Sequence, residues 1–140
     1  MVLICSSCKN NSSLEVRIGD YIKRTCQESD TCTIDIKNIT DFEWHKMYVF
    51  KEGATLEKIN EVLGFKYPFF EDIARRTIFV SGSRIIYHED IFPNPESAEA
   101  GQVIYKMPDT VQYTVLRPDE AIFKVNKVEL EQGEYYLLTK

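Results

Sequence analysis

The chain has 140 residues, 44% of them hydrophobic and 28% charged, and a net charge of −5. That length supports one domain with a core of its own, and the composition is that of a globular protein, not a disordered tail or a fibre. An acidic surface without a basic, aromatic-interleaved stripe argues against nucleic acid and fits a basic protein partner, and no internal run approaches the roughly 20 apolar residues of a membrane-spanning helix.

The first residues raise the question of compartment. Cys5 and Cys8, with Cys26 and Cys32 further on, offer four thiolates for zinc. The second pair, however, is spaced more widely than a zinc knuckle. A redox Cys-x-x-Cys works at a helix N-terminus just after a strand, and here no strand precedes it. The third reading is processing. Met1 to Ile4 are apolar, Ser6 and Ser7 are small, and Cys8 is followed by the polar run Lys9 to Ser13. This stretch resembles the lipobox end of a bacterial lipoprotein signal peptide. The resemblance implies a lipid anchor on Cys8 and a location in the periplasm or on the outer membrane, with residues 1–13 as signal remnant or flexible tether. It says nothing of the globular body, residues 14–140, in which no family is recognised.

Ser12 to Glu15 match a capping box, and Leu14, Ile18, Tyr21 and Ile22 then fall on one helical face. Cys32 to Lys37 alternate as a strand with one wet face, and Phe42 to Phe50 read as a central strand. Thr55 is a candidate N-cap, Leu56, Ile59, Val62 and Leu63 form a stripe, and Gly64 is a left-handed stop, so a second helix is expected between them. Thr77–Val80 and Arg84–His88 flank Ser81-Gly82-Ser83 as a hairpin. Glu89 to Gly101, rich in proline and acids, reads as a loop. Four more strands follow, the last two being Ile122–Leu130 and Glu134–Thr139 around a turn. The order of elements predicts an α+β fold: a single, mainly antiparallel sheet with both helices covering one face.

Glu43 and His45, near Asp41, and the run His88-Glu89-Asp90 are two groupings in which a carboxylate could orient a histidine as general base. Neither comes with a recognisable nucleophile, oxyanion donor or metal set, and the motifs for phosphate, acyl-transfer and zinc-hydrolase chemistry are missing. No catalysis, cofactor or metal is therefore expected. Cys26 and Cys32 bracket the first helix–strand connection at a separation that a disulfide can span; in an exported protein the bond closes a short loop worth about 2 kcal/mol. The long loop is the candidate partner surface, with Phe92 as apolar anchor among Glu89, Asp90, Glu96 and Glu99. The reading is thus a small bacterial envelope domain that binds another macromolecule, its membrane contact made through a lipid anchor alone. The alternative is a cytosolic acidic module of the immunity or adaptor type that covers a basic partner.

Overall fold

The computed structural model describes residues 12–27, 32–92 and 98–140. In chain order the elements are α1 (Leu14–Thr25), β1 (Cys32–Asp35), a 3-10 turn (Ile36–Asn38), β2 (Lys46–Phe50) and α2 (Leu56–Leu63). They are followed by β3 (Arg75–Ser81), β4 (Arg84–Ile91), β5 (Val103–Tyr105), β6 (Tyr113–Leu116), β7 (Ile122–Leu130) and β8 (Gly133–Thr139). The fold is α+β, but the expected single sheet is two four-stranded sheets, ordered β1-β7-β8-β5 and β4-β3-β2-β6. All pairings are antiparallel except that of β5 with β8. The order follows from pairings between distant segments: β1 finds β7, with Cys32 opposite Val125, and β5 finds β8.

The two sheets pack face to face. Ile34, Phe123, Val125, Tyr136 and Leu138 of the first meet Met47, Val49, Phe79 and Leu116 of the second, and Leu14, Ile18 and Ile22 of α1 join the same core. The second sheet is apolar on its other face too, where Tyr48, Phe50, Ile78 and Val80 receive Ile59 and Leu63 of α2. The helices therefore serve different layers and do not cover one face together. Strands buried on both sides read as continuous apolar runs, whereas β7, with Lys124 and Asn126 exposed and Phe123 and Val125 buried, alternates.

Local chemistry fixes the helix ends. Thr55 accepts from Lys58 N–H, and Gly64 closes α2 at φ 85°, a conformation that costs glycine nothing. In α1 the N-cap is Ser13, one residue later than the capping box predicts, and its hydroxyl accepts from Val16 N–H. Glu15 does not reach back. Its carboxylate accepts from Val103 N–H at 2.9 Å, while Glu89 of β4 takes the first amides of the helix.

Candidate functional site

The hairpin β3–β4 organises the groups of interest because alternate residues face opposite layers. Glu89 lies opposite Thr77 on the inward face, and Asp90 and His88 lie opposite Arg76 and Ile78 on the outward face. Glu89, His88 and Asp90 thus never act as one cluster. The expected loop from Glu89 is strand as far as Ile91, because both acids find partners within the fold.

On the inward side, Glu89 accepts from Leu14 N–H at 2.7 Å and Glu15 N–H at 3.0 Å, and also from the Tyr87 hydroxyl. A carboxylate at a helix N-terminus satisfies orphan amides and the favourable end of the helix dipole together. Tyr87 is pushed up to about 12, by burial first and then by its bond to Glu89. Glu15 also titrates above its ordinary value, because burial outweighs the hydrogen bond from Val103 and the neighbouring charge of Glu89 adds to the rise.

On the outward side, Arg76 is 1% exposed. Its guanidinium stands 4.8 Å from the Phe70 ring centre and 3.8 Å from Asp90 Oδ2, and it donates to the carbonyls of Glu71 and Ala74. Arg76 Nε and Nη1 and Asp90 Oδ1 are buried without a hydrogen-bond partner. Burial raises Asp90 above its ordinary range, with Arg76 opposing the rise. His88 stacks on Phe69 at 4.1 Å, and its Nδ1 lies 3.4 Å from the Tyr67 hydroxyl.

Three large apolar side chains in the segments that flank this pair stay exposed. Phe69, Ile73 and Phe92 are 45%, 65% and 54% exposed. The register that sets Arg75 opposite Ile91 carries Phe92 out beside the Glu71–Ala74 turn, on which Ile73 sits. Ile73 holds φ at +67°, a left-handed value that costs a β-branched residue about 1–2 kcal/mol. Glu71 and Asp72 on the same turn are exposed.

The remaining expected residues divide as follows. Cys8 and Glu96 lie outside the described residues. Glu99 is exposed, and its backbone N–H donates to Gln102 Oε1. Cys26 and Cys32 stand at disulfide distance, with Cα atoms 5.6 Å apart. Cys26 is the C-cap of α1, so the pair ties the end of that helix to the start of β1. Glu43 and His45 precede β2 and are exposed, His45 meeting the Ser81 hydroxyl at 3.3 Å, while Asp41 pairs with Arg17 at 3.1 Å. Among the described residues, no three His, Cys, Asp or Glu side chains are placed to hold a metal ion, and no helix is long and apolar enough to cross a membrane.

Phe92 was expected at the surface and is exposed, whereas the exposure of Phe69 and Ile73 was not expected. Tyr67-Pro68-Phe69-Phe70 carried an aromatic signal, whereas nothing in the sequence marks Ile73 for a left-handed turn. No protein-family model, curated protein or solved structure matches the chain.

Proposed function

We propose that the chain is a bacterial envelope domain, lipid-anchored through Cys8, that binds a basic protein partner and catalyses no reaction. The observation that carries the binding reading is the patch of Phe69, Ile73 and Phe92. Apolar anchors of this kind, set beside the exposed acids Glu71 and Asp72, suit a partner segment that combines lysine or arginine with an apolar side chain. A large aliphatic side chain held exposed on an unfavourable turn gives the folded monomer no packing in return. The envelope location is supported by the lipobox-like start and by the closeness of Cys26 to Cys32, since disulfides persist in oxidising compartments.

Three measurements in the native host test this reading. A fatty-acid label is expected on the wild-type protein and not on Cys8→Ser. Cys26 and Cys32 are expected to alkylate only after reduction. A photo-crosslinking residue at position 92 should give an adduct with a basic protein, and Ile73→Asp should abolish it. Unlabelled protein with both thiols free would overturn the envelope assignment in favour of a cytosolic acidic module of the immunity or adaptor type. Absence of the adduct would overturn the docking surface.

A further inference from the structure

We propose that the cleft between the neighbouring ends of the two sheets binds an oxyanion, the carboxylate or phosphate group of a small molecule. The cleft has a volume of about 390 Å³, and Lys51, Arg75, Gln102, Tyr105, Lys106 and Met107 are among the residues that line it. Five of these six carry hydrogen-bond donors. Arg75, at the inward-facing start of β3, keeps its Nε buried with no hydrogen-bond partner. Gln102 is only 7% exposed and turns its carbonyl oxygen to Glu99 N–H at 2.9 Å, which leaves the NH2 end without an acceptor among the described residues. Lys51 donates one hydrogen to the Pro108 carbonyl at 2.8 Å and keeps two. The Tyr105 hydroxyl is held in its protonated, donating form by burial and by the nearby Glu89 and Glu15 carboxylates.

What the inner part of this wall lacks is an acceptor for Arg75 Nε. The acid behind it, Glu15, is engaged with Val103 N–H, and Glu52 and Asp109 at the cleft are exposed. A buried donor left unpaired, as Arg75 Nε is, is costly, and a group with two or three acceptor oxygens satisfies it together with the freer donors beside it. A guanidinium with two lysines outweighs the two lining carboxylates, Glu52 and Asp109, and leaves the cleft cationic. Met107, with Ile104 beside it, provides an apolar surface for the body that carries the anion. The cleft shares no residue with Phe69, Ile73 and Phe92, so the two proposals stand independently.

The test is a nuclear magnetic resonance titration of the full chain with sodium phosphate and, separately, sodium butyrate, against sodium chloride at matched ionic strength. Both probes are expected to move the Arg75 Nε–H and Gln102 side-chain NH2 resonances along saturating curves. Arg75→Gln should weaken binding at least tenfold and Lys106→Ala several-fold. Lys106 is exposed, so its variant decides the matter if Arg75→Gln does not fold. Tighter binding of phosphate would mark a phosphorylated ligand, and tighter binding of butyrate a carboxylate with an apolar tail. Shifts no larger than those in chloride, or binding unchanged in both variants, would overturn the site.

Discussion

Glu89 and Asp90 are neighbours in sequence and carry the same charge, yet the pleat of β4 sends them to opposite layers with opposite outcomes. Glu89 meets two helix amides and a tyrosine hydroxyl, so burial leaves it well supplied with partners. Asp90 meets one arginine at 3.8 Å, and three polar atoms of that pair have no partner. The first arrangement fastens α1 to the second sheet. The second is a buried ion pair of the kind that well-packed apolar residues often replace without loss. The inward face is built for stability; the outward face keeps charge where stability alone does not call for it.

The largest effect is expected where that outward pair is halved. Asp90→Ala leaves Arg76 buried and uncompensated and should lower unfolding free energy by about 3–5 kcal/mol. The double change Arg76→Met with Asp90→Leu should return most of it in a urea titration. If the double variant were as unstable as the single one, the contrast between the faces would fail. Next comes Glu89→Ala, which strands the Glu15 amide and leaves Leu14 N–H only the Tyr87 hydroxyl, and should cost about 2–3 kcal/mol, with hydrogen exchange quickening first in α1.

A smaller, pH-dependent effect belongs to Glu15. Its folded-state value is raised above 4.5, so the folded protein holds this proton more tightly than the unfolded chain does. The contribution favours folding below about pH 4.5 and is lost as pH climbs through the raised value. Glu15→Gln keeps an acceptor for Val103 N–H and removes the titration. Relative to the wild type, it should therefore gain stability between pH 4 and pH 7, as read from urea midpoints. The smallest changes are expected at the patch. Phe92→Ala should move stability by less than about 0.5 kcal/mol, and Ile73→Asn, which suits the left-handed turn, should raise it by about 0.5–1 kcal/mol. A large loss from Phe92→Ala would show that it packs inside, and the proposed docking surface would fall.

Much of the local structure was legible in the sequence, and the parts that were not share a cause. Thr55 and Gly64 bounded α2 correctly, and β7 runs over the expected residues, because caps and alternation act over a few positions. The division into two sheets was invisible, since it rests on β1 meeting β7 and β5 meeting β8. Glu89 and Asp90 read as a loop until their partners are known, and those come from α1 and from Arg76. The cleft around Arg75 was hidden for the same reason: it draws on residues from the ends of β3 and β5 and from Lys51 just beyond β2. Cys26 and Cys32 were the exception, a tertiary contact short enough to be judged from spacing.

The pairing of β1 with β7 also bears on how the chain folds. Every strand of the second sheet, from β2 to β6, lies in sequence between those two partners. Within that sheet β2, β3 and β4 pair with near neighbours in sequence and β6 then returns to β2, whereas β1 must reach β7 across the longest span of any strand pairing here before its first ladder bond forms. The second sheet is thus the natural folding nucleus, and β1 is the late-arriving strand. Destabilising changes in β1 should speed unfolding and leave the refolding rate nearly unaltered.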